Sequence, residues 1–157
     1  MVQTNNFKIV LQTLGICVLF ISFPFKKGFS QNNDCSCPMF KGKILIDNSY
    51  ETMGGKLIPR AEIKSKRTTV YSASSGAVAS VDTLHTGRIY IRIVSLGYTY
   101  MYENIFTSEC FVGQNIHRGQ QLGRLKEGEH LYISISDGKK LVHPETLLPC
   151  RKIKVNK

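Results

Sequence analysis

The sequence lacks the signatures of several common site chemistries. No stretch repeats its apolar residues at the 3.6-residue period of a helix, which argues against a helical fold. There is no Gly-x-Ser-x-Gly turn of the kind that exposes a serine nucleophile, and no Cys-x-x-Cys pair of the kind that holds structural zinc. No histidine precedes His85, so the first half of the chain contains no imidazole ligand. These absences argue against a helical fold, a serine nucleophile of this type and a structural zinc site, and they confine any histidine to residues from 85 onward.

The first thirty residues have the order of a secretory signal peptide. One lysine precedes the apolar run Ile9–Phe25, and Gly28 and Ser30 are small residues at the positions that a signal peptidase reads. The pattern predicts removal of residues 1–30 by cleavage before Gln31, and export to the periplasm or cell envelope. An uncleaved membrane anchor is the alternative. It is disfavoured because the run is at the short limit for a bilayer span and the lysines that follow it would lie outside.

Removal of the signal leaves 127 of 157 residues, with 18 basic and 11 acidic side chains and a net charge of +7. One domain with one core is expected at this length. We assign 31–41 to a loose arm, 42–150 to the domain and 151–157 to a disordered basic tail. The charge suits an anionic surface such as a wall polymer or lipid headgroups, or serves solubility alone. Nucleic acid is not expected as a partner, and a membrane only if the signal stays uncleaved.

Alternation of apolar and polar residues predicts short strands joined by tight turns. The alternating segments are 42–47, 68–73, 77–81, 88–94, 98–102 and 131–136. A hairpin turn signal, Asp137-Gly138, follows the last of them. Residues 48–67 mix glycine, proline and charge, and are expected to be mostly loop with room for one short strand. We predict an all-β fold with a twisted antiparallel sheet and a smaller sheet or hairpin packed on it.

Five fragments rich in glycine and alternating residues occur in one unbroken order. They are V-Y-S-A-S-S-G-A-V (70–78), the hairpin G-R-I-Y-I-R-I (87–93) with G-Y-T-Y-M-Y-E-N-I (97–105), G-Q-N-I-H-R-G-Q-Q-L-G (113–123), E-H-L-Y-I-S-I (129–135) and D-G-K-K-L-V-H-P-E-T-L-L (137–148). Together they resemble the lysostaphin-type (LytM-like) zinc endopeptidases. In that family the hairpin ends in Y-x-H-L, and the fourth fragment reads H-L-H-F-E-I. The resemblance covers about 62–148 and implies a peptidase-like fold with a substrate groove.

The resemblance also implies a zinc site, made by H-x-x-x-D and the second His of H-x-H, of which this chain has lost most. The early His has no counterpart. Glu62 lies near the Asp position, either as a relic of that ligand or, as we favour, as a surface glutamate. Tyr132 replaces the second His of H-x-H, and a neutral phenol is a poor zinc ligand. Asn104 replaces the proton-carrying His of Y-x-H-L. His130 keeps the first His of H-x-H, either as a catalytic relic or as a polar strand residue satisfied by its neighbours.

Loss of the metal need not mean loss of binding, because the resembled fold presents a groove between its loops. The resemblance implies that Tyr98, Tyr100, Tyr102 and Tyr132 line or border the groove and offer flat faces to glycan or peptide stems. The alternative is that they are half-buried strand formers. The chain is therefore expected to be an exported, catalytically inactive member without cofactor, which binds peptidoglycan or a partner envelope protein. Two other hypotheses remain. One is an active zinc-dependent peptidoglycan endopeptidase that recruits Glu62 and His130, and the other is a β module of a larger envelope assembly.

Four cysteines follow the signal segment, an even number that fits an oxidising compartment. In the resembled fold the regions of Cys110 and Cys150 run near the same end of the sheet, so the resemblance implies a bridge between them. Such a bridge would close a loop of about 40 residues and stabilise the fold by about 3–4 kcal/mol. Cys35 and Cys37 would then form a strained mutual bridge or a link to another chain. Cross-pairing of these two with Cys110 and Cys150 is the other arrangement.

Overall fold

The computed structural model describes residues 35–46, 51–53 and 56–154. The predicted signal peptide lies outside these residues, as do the first residues of the predicted arm and the last three of the predicted tail. The described part is almost entirely β, with fourteen short strands and one helix of four residues. No helix in this part is long and apolar enough to cross a membrane.

Short strands and tight turns follow one another along the chain, as the alternation predicts. In chain order they are β1 (Lys43–Ile46), β2 (Glu51–Met53), β3 (Lys56–Ile58), β4 (Arg60–Lys64), β5 (Thr69–Tyr71), β6 (Gly76–Thr83), β7 (Ile89–Ser95), β8 (Tyr98–Ile105), β9 (Thr107–Ser108), β10 (Asn115–Ile116), β11 (Gln121–Arg124), β12 (Leu131–Ser136), β13 (Leu141–Val142), the helix α1 (Pro144–Leu147) and β14 (Arg151–Lys154).

Nine of these strands form one large sheet. Its order is β10-β6-β7-β8-β12-β4-β1-β14, with β13 paired to β12. Every pair is antiparallel except β1 with β14, which run parallel from Lys43 opposite Arg151 to Ile46 opposite Lys154. Strands β5, β11 and β9 form a second, small sheet, and β2 pairs with β3. The predicted class, an antiparallel sheet with a smaller sheet, is confirmed. The parallel pair at the edge was not predicted.

The core lies between one face of the large sheet and the small sheet. Tyr102 of β8 is fully buried there, and its Oη accepts a hydrogen bond of 2.9 Å from the backbone N–H of Ala73, just after β5. Val70 of β5 and Leu122 of β11 are buried on the same side of the molecule, within one apolar cluster. Burial raises the pKa of Tyr102 well above its ordinary value. The phenol therefore stays neutral and acts as a polar tie inside an apolar layer.

Both predicted loose ends are wrong over the residues that the structure describes. In the arm, Met39 is buried and pairs in an isolated bridge with Val70 of the small sheet. In the tail, Arg151–Lys154 is not disordered but forms β14, which hydrogen-bonds along the whole of β1. The apolar methionine and the backbone pairing with β1 are the physical reasons, because each removes from water groups that a free arm or tail would leave exposed.

The predicted bridge between Cys110 and Cys150 is also wrong. Cys150 is bonded to Cys37, with 5.0 Å between the two Cα atoms. Cys110 follows β9 in the small sheet, whereas Cys150 leads into β14 at the edge of the large sheet, beside the entry to β1. Cys110 and Cys35 are both free thiols, and burial raises the pKa of Cys110. The alternative expectation was that Cys35 and Cys37 pair with Cys110 and Cys150. The structure contains one such pair, Cys37 with Cys150.

The segment expected to be mostly loop supplies the strand that matters most for the site. Arg60–Lys64 (R-A-E-I-K) alternates charged and apolar residues and forms β4, between β12 and β1. Ala61 and Ile63 are buried in the core, so the three charged residues between and beside them point to the opposite face. The proline and glycines that suggested a loop lie before this strand.

Candidate functional site

A cluster of polar side chains lies on the face of the large sheet that is turned away from the core. The strand register separates the two faces: Ile133 pairs with Tyr102 on the core side, whereas Tyr132 pairs with Glu103 and Glu62 on the other side. We call this cluster the polar face and define it by Arg60, Glu62, Glu103, His130 and Tyr132. Strands β8, β12 and β4 position it, and the alternation of each strand decides which side chains reach it.

The centre of the polar face is a contact between Glu62 and His130. One carboxylate oxygen of Glu62 lies within hydrogen-bond distance of Nδ1 of His130. The two side chains are 32% and 23% exposed, so the contact is shielded from bulk water without being sealed. The contact follows from the strand register, in which Glu62 lies opposite Tyr132. His130 precedes Tyr132 by two residues, so its side chain points to the same face of the sheet. A carboxylate that binds one ring nitrogen fixes the orientation of the imidazole.

Asn104 has a backbone role beside this contact. Glu103 and Asn104 together lie opposite the single residue Tyr90, which forms a bulge in the β7–β8 pair. Asn104 adopts the left-handed conformation with φ of 70°, which asparagine tolerates better than most residues. Its Nδ2 donates a hydrogen bond of 2.8 Å to the backbone carbonyl oxygen of His130. The amide therefore ties the bulge to the start of β12, and no proton transfer is needed to explain its presence.

Arg60 covers the position where the resembled family has a zinc ligand. Its guanidinium carbon lies 4.2 Å from the centre of the Tyr132 ring, and its Nη1 donates to Oε2 of Glu103 at 3.2 Å. A cation stacked on this ring disfavours a second cation at the same place. Burial raises the pKa of the neighbouring Tyr90, and the negative charge of Glu103 adds to that effect.

The donor set does not fit the zinc site of the family. Such a site needs three protein ligands and one open position. Here the carboxylate of Glu62 is engaged with His130, and the ring of Tyr132 lies under Arg60. Among the described residues, no three His, Cys, Asp or Glu side chains are grouped closely enough to share a metal ion.

Three of the four tyrosines predicted to line the groove lie on the core-facing side of the large sheet, opposite the polar face. Tyr100 and Tyr102 are 2% and 0% exposed and pack in the core. Tyr98 is half-buried against the same cluster, with its ring centre 6.4 Å from that of Tyr100. Only Tyr132 lies on the polar face. The three β8 tyrosines do share one face, as alternation requires, but it is the buried one.

The sequence interpretation found some members of the site and missed others. His130 and Tyr132 lie together as the resemblance implies, and Glu62, taken there for a surface residue or a relic, is in direct contact with His130. Arg60 and Glu103 were missed. The charge alternation in R-A-E-I-K was the signal for Arg60, because it places this residue on the same side of a strand as Glu62.

The sequence matches no protein-family model and no curated protein. Solved structures match it. CbpA from L. salivarius REN is 20% identical over 61% of this chain and 75% of its own, with a TM-score of 0.53. A chain of the SpoIIQ–SpoIIIAH pore-forming complex is 12% identical over 73% and 90%, with a TM-score of 0.58. Lysostaphin in solution is 14% identical over 79% and 58%, with a TM-score of 0.53. The chain has a lysostaphin/LytM-type fold, and the sequence resemblance is confirmed at that level.

Proposed function

We propose that this chain, with its lysostaphin/LytM-type fold, is an exported and catalytically inactive protein of the cell envelope. It binds peptidoglycan or a partner envelope protein through the polar face. One observation carries the proposal: the side chains at the family's ligand and proton-transfer positions are bound to one another or to the backbone. Glu62 contacts His130, Asn104 donates to a backbone carbonyl, and Tyr132 lies under a guanidinium.

The chemistry of the polar face supports a peptide-like ligand. It combines a flat ring, a guanidinium, two carboxylates and an imidazole, all partly exposed. Peptide stems and protein segments carry carboxylates, amines and apolar groups that such a mixed surface can match. One of the solved chains with this fold belongs to a pore-forming protein complex. This supports a partner protein, as an alternative to peptidoglycan, as the ligand of the polar face.

Binding is tested with insoluble peptidoglycan and with crosslinking in envelope extracts. Tyr132→Ala removes the ring at the centre of the polar face and is expected to weaken binding at least tenfold in one of the two assays. Phe111→Ala is the matched control, since Phe111 is an aromatic residue 67% exposed on the loop before β10, and three strands separate β10 from β12. Circular dichroism establishes that both variants are folded. Equal binding by both variants, or no binding in either assay, would contradict the proposal.

A second candidate is a zinc-dependent peptidoglycan endopeptidase with an altered ligand set, in which Glu62 and His130 would have to exchange their mutual contact for the metal. The carboxylate and the imidazole are both zinc-binding groups, and they lie together. Metal analysis of the purified protein separates the two candidates. Near-stoichiometric zinc that is lost in His130→Ala, together with digestion of cell walls, would establish the enzyme and remove the first proposal. We expect neither.

A further inference from the structure

Three cations stand directly opposite one another at the edge of the large sheet. Lys43 of β1 pairs with Arg151 of β14 on one side and with Lys64 of β4 on the other. Paired residues point to the same face, and neighbouring strands are about 4.8 Å apart, so the three side chains form a row of closely spaced positive charges. We call this row the basic ladder. It lies on the same side of the sheet as the polar face, because Lys64 and Glu62 are two residues apart on β4.

The basic ladder continues into a depression of about 530 Å³. Its lining adds three further cations, one serine and one aromatic ring: Lys41, Lys66, Arg67, Ser65 and Phe40. Lys41 has a left-handed φ of 51°, uncommon for lysine, and its ammonium lies 5.5 Å from the centre of the Phe40 ring. Ser65 Oγ donates to the carbonyl oxygen of Phe40 at 2.8 Å and accepts from the N–H of Arg67 at 3.0 Å. The loop is therefore held in place by its own hydrogen bonds.

These six basic side chains have no ion pair in the described part of the chain. The carboxylate nearest along β4 is Glu62, and it is engaged with His130. Like charges directly opposite one another in a sheet destabilise it. A surface that serves only solubility would intersperse both signs of charge, which avoids this cost. Among the described residues these cations are therefore uncompensated, and they are available to an anion.

We propose that the basic ladder and its depression bind a linear polymer that carries repeated phosphate groups. A row of cations that leads into a depression fits successive charges of an extended chain, whereas a single phosphate would meet only one or two of them. Lys and Arg both bind phosphate oxygens through charge-assisted hydrogen bonds. This ligand is distinct from the one proposed for the polar face, so the two proposals can be tested independently.

The exposed apolar residues argue against a lipid surface as the occupant. Membrane-surface binding needs an apolar face beside the cations. Phe40, 56% exposed, is the one large apolar side chain that the depression presents among the described residues. Leu96 and Phe111, both strongly exposed, lie on turns in the half of the sheet formed by β10, β6, β7 and β8, away from β14.

The probe is long-chain inorganic polyphosphate, which has no base, sugar or lipid, and binding is measured by titration calorimetry at two salt concentrations. The double variant Lys43→Gln/Lys64→Gln is expected to bind at least tenfold more weakly and with a smaller salt dependence. Lys139→Gln/Lys140→Gln is the matched control, since it removes two exposed lysines from the turn after β12. It is expected to lose less than threefold. Inorganic phosphate alone is expected to bind far more weakly than the polymer.

Equal losses in the two double variants would mean that net charge alone drives binding, and would overturn the proposal. So would tighter binding to anionic phospholipid vesicles, or to single-stranded DNA, than to polyphosphate. Tyr132→Ala serves to separate this site from the polar face. It is expected to keep full polyphosphate affinity even though it loses the ligand of the polar face.

Discussion

Glu62 and Lys64 are two residues apart on one strand and one face, yet they belong to regions of opposite electrostatic character. Around Glu62, the carboxylate, the imidazole of His130 and the guanidinium of Arg60 are all engaged within the fold. Around Lys64, the described cations face one another without a counter-ion. The comparison indicates two roles for charge. Side chains that pair with an opposite charge in the protein hold neighbouring strands together, whereas cations without such a pair are available to a ligand. Substitutions should therefore affect stability in the first region and binding in the second.

The largest expected effect comes from the disulfide that holds β14, and with it Arg151, at the end of the basic ladder. Cys37 and Cys150 are 113 residues apart in sequence. On the chain-entropy model a loop of this size restricts the unfolded state by about 4–5 kcal/mol. Cys37→Ser/Cys150→Ser should lower the free energy of unfolding in urea by about that amount and weaken polyphosphate binding. Cys110→Ser is the control and should cost less than about 1 kcal/mol. Equal losses would contradict the role of the bridge.

The second effect tests the paired region. Glu62→Gln keeps the size of the side chain and removes the charge that contacts His130. A hydrogen bond to a charged group contributes about 1.5–3 kcal/mol, and partial exposure reduces this. We expect a loss of about 1.5 kcal/mol in the free energy of unfolding, measured in urea. Polyphosphate affinity should not weaken, in contrast to the effect of Lys64→Gln. If Glu62→Gln is neutral for stability, the pairing does not support the fold.

The sequence was sufficient for what depends on local alternation. Strands β7, β8 and β12 were predicted because strict period-two patterns need no knowledge of the rest of the chain. The side of the β8 tyrosines was predicted wrongly for a related reason. Period two groups Tyr98, Tyr100 and Tyr102 on one face but does not say which face is buried. The polar residues Thr99 and Glu103 on the other face were the missing signal.

Contacts between distant segments could not be predicted in this way. Two features join the two ends of the domain: the parallel pairing of β1 with β14 and the bond between Cys37 and Cys150. A local sequence pattern cannot predict a contact between segments so far apart in the chain. At the site, the resemblance pointed to His130 and Tyr132, and both lie on the polar face beside Glu62. It could not supply Arg60, which lies before the resembled segment 62–148 and in a stretch expected to be mostly loop.

The third effect concerns the bulge that supports the paired region. Asn104→Ala removes the hydrogen bond to His130 and puts a residue with little tolerance for φ of 70° at this position. Asn104→Gly removes the same hydrogen bond but accepts the backbone. We expect the alanine variant to be less stable than the glycine variant by about 1 kcal/mol, measured as the difference in unfolding free energy in urea. The reverse order would show that the left-handed bulge does not persist in solution.

The smallest effect is the most direct test of the uncompensated region, because it has the opposite sign. Lys43 lies between Lys64 and Arg151 in the ladder, so Lys43→Gln removes two like-charge contacts at once. We expect the free energy of unfolding to rise by a few tenths of a kcal/mol at low ionic strength, and this gain to vanish in high salt as the charges are screened. Lys139→Gln, on the turn after β12, should change stability by less. A stabilised variant that binds polyphosphate more weakly would show that the repulsion within the ladder is relieved by its ligand. Loss of stability in Lys43→Gln would instead mean that the lysines have partners within the fold, and the contrast with Glu62 would disappear.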